Sequence, residues 1–317
     1  MGLALLVIVG SLVVAAALIA AVVRDARHPA RATAGWALAR SLPLDPAAMN
    51  LAFTEWLGPE GMPVWEISGG DPEGPVTILL HGWRRSRIDS LRRIRPWIDC
   101  SRSLLLVDLP GHGESPANAS TLGITDGALV RRLIEDRSES DRGPILLVGH
   151  SMGAVVALDV ARGLRPEALA GVVAFAPYAS LAEPLANRLR ARALPAVPVA
   201  SLATGWFRLA LGAESPVQAT LEMLVRTGVP TLIAAATNDR TISLCHLTDL
   251  CARASVPLSA SPSATHDDLG TSLTGLPCAD DSIDPVIDSA TTAFVAAMRA
   301  RLALLRTQAL AGATVRA

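Results

Sequence analysis

Lysine is missing from this 317-residue chain, so all 28 basic side chains are arginine. With alanine abundant, that bias points to high-GC codon usage rather than to a polyanion partner. A formal net charge of −1 likewise argues against nucleic-acid binding. Cysteine is scarce: Cys100, Cys245, Cys251 and Cys278 include no C-x-x-C pair. Cys245 and Cys251 with His246 between them offer too few converging ligands for a metal, so no metal site is expected. Such thiols suit a large core in a reducing compartment, although bridges would form outside one. No internal repeat is present, which excludes a repeat architecture.

Charge is also absent from one long stretch. From Leu3 to Val23 there are 21 residues without an ionisable side chain, broken only by Gly10 and Ser11. As a helix this run reaches about 30 Å, one bilayer core. No basic residue precedes it, as a cleaved signal peptide would require, and it is long for a signal core. The expectation is a single transmembrane anchor over 1–23, followed by a membrane-proximal linker over 24–60 and a catalytic domain over 61–317. Arg24, Arg27, Arg31 and Arg40 all follow the run, which places that domain in the cytoplasm by the positive-inside bias. The opposite insertion stays open because a large folded domain follows. No motif for chemistry lies upstream of about Ala47. Trp36 and Trp56 are placed to rest at headgroup level or to pack on the domain.

The motif that carries most information is G-H-S-M-G at 149–153. It follows the short apolar run Ile145–Val148 and precedes Ala154–Ala161, which reads as a buried helix. G-x-S-x-G between strand and helix is an elbow that exposes a nucleophile, its glycines letting the backbone turn where a side chain would collide. Ser151 is the candidate nucleophile. It needs a base and the base needs an orienting acid. Asp239 follows the strand-like run 230–236, and His266 lies in a polar loop after another such run at 256–259. In a parallel sheet the strand C-termini share one edge, where these three can meet. The plainer readings make Asp239 a helix cap and His266 a solvated loop residue. Asp267 and Asp268 compete as acids, but sequence neighbours of a base seldom reach its ring nitrogen. Oxyanion donors are the amide of Met152 and, after the run Val76–Leu80, that of Trp83 in His81-Gly82-Trp83.

Together, H-G-W at 81–83, D-L-P-G-H-G-E-S at 108–115, G-H-S-M-G at 149–153, N-D at 238–239 and His266 resemble the α/β-hydrolase family over about residues 60–300. The resemblance is to its branch of small serine hydrolases, which includes esterases, monoacylglycerol lipases and serine aminopeptidase-like proteins, some of them membrane-anchored. It implies the α/β-hydrolase fold and catalysis by Ser151, His266 and Asp239 without a cofactor. Serine at the elbow sets aside the epoxide and halide chemistry of relatives with a carboxylate there. The turn holding Asp108 reads as structural, with His112 bonded to backbone and His81 and His150 satisfied beside the site.

Strand-like runs at 76–81, 103–108, 144–149, 170–175, 229–236 and 256–260 alternate with helix-like ones near 88–98, 124–137 and 152–164. This predicts a mostly parallel sheet covered on both faces. A last helix near 285–309 carries Val286, Ala290, Ala293, Phe294, Ala297 and Leu304 as its apolar stripe, after a polar surface insertion at 271–284. Residues 181–226 read as a small helical cap. Its stripe Leu202, Trp206, Leu209 either packs on the body or walls an acyl pocket. Arg188, Arg190 and Arg192 read as a solvated face rather than a substrate clamp, and the cluster Arg84, Arg85, Arg87, Arg92, Arg93 and Arg95 reads as a solvated face too, unless it forms a rim for a membrane or an acidic substrate. The expected activity is cleavage of a small-molecule carboxylic ester or thioester, tilted toward an acyl lipid. Alternatives are a peptidase or amidase, and a tethered binding or scaffold protein on the same fold.

Overall fold

The computed structural model describes residues 2–137, 143–271 and 284–314. Its strands are β1 (Phe53–Leu57), β2 (Pro63–Ser68), β3 (Val76–Leu80), β4 (Ser103–Val107), β5 (Ile145–His150), β6 (Leu169–Phe175), β7 (Thr231–Ala236) and β8 (Leu258–Ser261). They form one sheet in the order β1-β2-β4-β3-β5-β6-β7-β8. β1 and β2 are antiparallel, as are β2 and β4, and every later pairing is parallel. Burial explains which strands were legible. β3, β4, β5 and β6 are buried at every position, and such strands read as unbroken apolar runs. β1 sits at an edge, half exposed, and lies inside the stretch expected to be a linker. That boundary is corrected: residues 53–57 belong to the sheet.

The helices are α1 (Gly2–Arg27), α2 (Ala34–Leu38), α3 (Arg87–Ser90), α4 (Arg95–Ile98), α5 (Asp126–Glu135), α6 (Met152–Gly163), α7 (Ala182–Arg190), α8 (Ala196–Leu211), α9 (Val217–Arg226), α10 (Leu244–Ala254) and α11 (Pro285–Thr314). The helix expected over 88–98 is two short ones with a 3₁₀ turn between, and Pro96 opens the second. In α11 the buried face runs through Ile287, Thr291, Phe294, Met298 and Leu302. Of the expected stripe only Phe294 is fully buried, while Val286 and Leu304 face outward. The Phe294 ring meets Trp97 edge-on, centroids 6.0 Å apart, a pairing worth about 0.5–1.5 kcal/mol beyond its burial.

Residues 181–226, expected as a cap, fold as α7, α8 and α9; α7 packs on α8, whereas α9 packs on α6 and α10. The stripe does not wall the cavity above Ser151: Leu202 and Leu209 are exposed, Leu209 at 90%, and Trp206 lines a groove against Ile19 and Val23 of α1. Helix α1 packs against α8, and its first half exposes Leu5, Leu6, Val7, Ile8, Val9, Leu12, Val13 and Val14. Beyond α1 the chain is fastened rather than free. The amide of Ser120 donates to the Arg27 carbonyl at 2.7 Å, and Arg31 donates to the carbonyls of Ser115 and Ala117 at 2.6 Å each. Trp36 and Trp56 both pack on the core's edge.

Candidate active site

Three loops at the carboxyl edge of the sheet bring the expected residues together. Ser151 follows β5, Asp239 follows β7 and His266 follows β8. His266 Nε2 lies 3.0 Å from Ser151 Oγ, and its Nδ1 lies 2.6 Å from Asp239 Oδ2. The second carboxylate oxygen, Asp239 Oδ1, accepts the amides of Thr241 at 2.7 Å and Ile242 at 2.8 Å. The acid is therefore clamped before it meets the ring. Asp267 and Asp268 are committed elsewhere, to Arg85 and Arg92.

The elbow explains why the serine stands exposed to the cleft. Ser151 has φ 53° and ψ −116°, a left-handed backbone that costs on the order of 1–3 kcal/mol for a residue with a side chain. Its amide donates to the Phe175 carbonyl at 2.8 Å, pinning the turn to β6. The flanking glycines have no room for a Cβ. One on Gly149 would meet the Gly153 carbonyl oxygen at 2.2 Å, and one on Gly153 would meet the Leu80 carbonyl oxygen at 2.1 Å. The Met152 amide opens α6, where a first-turn N–H has no intrahelical acceptor and the helix dipole favours negative charge. Trp83 and Met152 line the same cavity as Ser151.

The other histidines serve as hydrogen-bonded supports. His81 Nε2 accepts the Leu109 amide at 3.0 Å, and its Nδ1 donates to the Gly82 carbonyl. His112 Nδ1 donates to the Pro110 carbonyl at 3.0 Å. Burial holds both rings below the usual histidine range, His112 at about 3. His150 Nε2 donates to the carbonyl of His266 at 2.7 Å. Burial, with Arg93 nearby, pushes the His150 pKa well down. Asp108 accepts the Arg87 and Glu114 amides, closing its turn.

The arginines after His81-Gly82-Trp83 are not a solvated face. Arg87 and Arg93 are each 3% exposed. Arg87 pairs with Glu55, Asp108 and Glu114. Arg93 binds Asp89 and donates to the carbonyls of Asp267 and Leu269. Arg85 and Arg92 reach Asp267 and Asp268. Arg85, Arg92 and Arg93 therefore brace the loop that carries His266, an arrangement invisible in sequence because their partners on that loop lie some 175 residues away.

Above Ser151 lies a cavity of about 310 Å³, within the lower range of small-molecule sites. Leu181, Leu185 and Leu189 of the cap form one wall, and Leu18, Ala21, Val22, Asp25 and Ala26 of α1 form another. Sequence reasoning missed this second wall. Its members recur at i, i+3, i+4, i+7 and i+8, one helical face, but a stripe is unreadable where the whole helix is apolar. The indole N–H of Trp83 donates to the Ala26 carbonyl at 2.9 Å, locking α1 to the loop after β3. Arg188, partly buried, lines the cavity, contrary to the expected solvated face, whereas Arg192 at the cavity's rim and Arg190, which turns to Asn187, are exposed as expected. Cys100, Cys245 and Cys251 are free thiols, while Cys278 and most of the 271–284 insertion lie outside the described residues.

Residues 77–314 match a family model described as "Alpha/beta hydrolase family". The magnesium-chelatase 30 kDa subunit of Rhodobacter capsulatus is 28% identical over 160 residues, 50% of this chain and 55% of that protein. A pimeloyl-[acyl-carrier protein] methyl ester esterase of Methylococcus capsulatus is 37% identical over 109 residues, 34% of this chain and 37% of that protein. This chain thus spans about half the length, or less, of the curated relatives it matches. Among solved structures, a membrane phospholipase A described as a bacterial virulence factor superposes with a TM-score of 0.53 at 17% identity, covering 94% of this chain and 97% of that one. At that identity the likeness is one of fold.

Proposed function

This chain belongs to the alpha/beta hydrolase family, and from that premise we propose that it is a serine hydrolase cleaving a carboxylic ester or thioester through an acyl-enzyme on Ser151. The relay Asp239–His266–Ser151, beneath a largely apolar cavity, carries the reading. His266 Nε2 takes the hydroxyl proton as Ser151 Oγ bonds to the carbonyl carbon. Asp239 holds Nδ1–H and so keeps Nε2 free to accept. The amides of Trp83 and Met152 face the developing oxyanion. The tetrahedral intermediate then collapses, the carbonyl-to-leaving-group bond breaks, and His266 returns the proton to the departing alcohol or thiol. Water repeats the sequence with His266 as base and frees the acid. The walls formed by Leu18, Val22, Leu185 and Leu189 suit an acyl chain, which favours an acyl lipid over a peptide.

A second reading concerns the membrane. Helix α1 is apolar on all sides over Ala4–Val23, a bilayer's length by composition, but only residues 4–17 are exposed throughout, because Leu18 and Val22 wall the cavity. With Leu202 and Leu209 exposed on the adjoining α8, this supports an N-terminal anchor whose exposed part is embedded with the cap set against the lipid. Arg24, Arg27 and Arg31 on the far side favour a cytoplasmic domain.

The test of the hydrolase reading is covalent. A fluorophosphonate probe should label the wild type and not Ser151→Ala, and Ser151→Ala should lose hydrolysis of a short p-nitrophenyl ester at unchanged Tm. Persisting labelling in the variant would place the nucleophile elsewhere, and a wild type that neither labels nor turns over would favour the scaffold alternative.

A further inference from the structure

The cavity above Ser151 is largely apolar but carries three charged side chains in its lining, Asp25, Arg188 and Arg192. These charges do not cancel. Asp25 is already engaged by Arg84, its Oδ1 2.7 Å from the guanidinium. Asp267, the other acid whose charge reaches Arg188, is held by Arg85 at 2.7 Å. Among the described residues neither Arg188 nor Arg192 forms an ion pair. Instead the Arg188 guanidinium lies 3.7 Å from the centroid of the Trp83 ring, on the residue whose amide faces the oxyanion in the reading above. Arg84 stacks on the same indole at 4.3 Å.

A guanidinium taken out of water is costly unless its donors find partners. Stacking on an indole satisfies the face of the fork and leaves its N–H edge free. Burial, reinforced by Arg84, lowers the Arg188 pKa to about 10, so the group remains charged at neutral pH. Arg192, exposed at the rim of the same cavity, adds a second positive charge at its mouth.

We infer that Arg188, assisted by Arg192, is a specificity-determining residue that receives an anionic oxygen group of the substrate, so that the preferred ester carries a carboxylate or phosphate on its alcohol part. The inference rests on the hydrolase reading and narrows its substrate class. Leu18, Val22, Leu185 and Leu189 take the acyl chain, and Arg188, stacked on Trp83 beside the oxyanion, is left to the alcohol. Carboxylate and phosphate share the geometry that a guanidinium fork recognises, and the substrates below separate them.

The experiment uses the full-length protein in detergent with three octanoyl esters that share one acyl chain. Their alcohol parts are glycerol, glycerate and glycerol phosphate, and released octanoate is measured. The wild type should favour at least one anionic ester over the glycerol ester by about tenfold or more in kcat/KM. In Arg188→Gln that ratio should collapse toward one, chiefly through KM, while Arg188→Lys should keep part of it because the charge remains. Arg192→Gln should reduce it less. Labelling of each variant by the fluorophosphonate probe reports an intact site. A preference for glycerate identifies a carboxylate ligand, and one for glycerol phosphate identifies a phosphate head group. Equal kcat/KM for all three esters in the wild type, or a preference untouched by Arg188→Gln, overturns the inference while leaving the hydrolase reading standing. Cleavage of none of the three overturns the inference, and the hydrolase reading falls with it only if the wild type also fails to label with the probe.

Discussion

Both oxygens of the Asp239 carboxylate are in use, one on two backbone amides and one on His266 Nδ1. That arrangement decides what Asp239→Asn does. The amide oxygen will take the place that accepts Thr241 and Ile242, which leaves the NH₂ facing Nδ1. The ring must then present Nδ1 as an acceptor and carry its proton on Nε2, where it cannot receive one from Ser151. We expect kcat/KM to fall by about 10²–10⁴-fold with little change in fold. Asp267→Asn and Asp268→Asn, whose carboxylates hold Arg85 and Arg92, should cost much less. Near-wild-type activity in Asp239→Asn would remove it from the relay. Ser151, Asp239 and His266 were legible because each follows a strand, and strand ends of a parallel sheet converge whatever else the chain does. The service of His150 to the His266 carbonyl was not legible. It is a contact across 116 residues, and neither partner's identity announces it.

Helix α1 shows what can be lost when an element is read alone. Its composition implied an anchor and nothing more, so the residues before about Ala47 were expected to be dispensable for chemistry. Leu18, Val22 and Asp25 nevertheless line the cavity, and the Trp83 indole bonds to the carbonyl of Ala26. Removal of residues 1–46 would strip one wall from the site, free Trp83, and leave the Ser120 amide and the carbonyls of Gly113, Ser115, Ala117 and Asn118 without these partners. Full-length protein should stay with membranes through a high-pH carbonate wash, since burial rather than charge holds the helix. The truncated chain should lose esterase activity even toward a soluble p-nitrophenyl ester, by roughly tenfold or more given the loss of preorganised contacts. Full activity in the truncated chain would reduce α1 to a tether. The arginines after Trp83 and Arg188 on α7 follow the same logic. Local spacing suggested solvated faces, and only tertiary packing reveals partners from the His266 loop and a seat in the cavity.

Across the whole molecule, three buried histidines set the response to acid. His81, His112 and His150 all have depressed pKa values, mainly through burial, with His112 near 3. In the unfolded chain each returns to about 6.5. As pH falls below that value the unfolded state takes up protons that the folded state refuses, so stability falls with pH. Two buried acids oppose this. Asp126 is raised to about 6 and Asp108 is raised, both by burial, so the folded state binds their protons first and gains on acidification between the folded and unfolded pKa values. Asp126 offsets part of the loss only below about pH 6, whereas His112, near 3 when folded against about 6.5 unfolded, by itself costs about 1.4 kcal/mol per pH unit between those values. Urea midpoints of the detergent-solubilised protein should therefore drop steadily from pH 7 to pH 5. His112→Asn, whose amide can still donate to the Pro110 carbonyl, removes one of the three titrating groups and should flatten that dependence by about one proton's worth. A midpoint that holds or rises as pH falls to 5 would mean that the folded protein takes up protons at these histidines, and that the tightly closed supports around Ser151 are open to water.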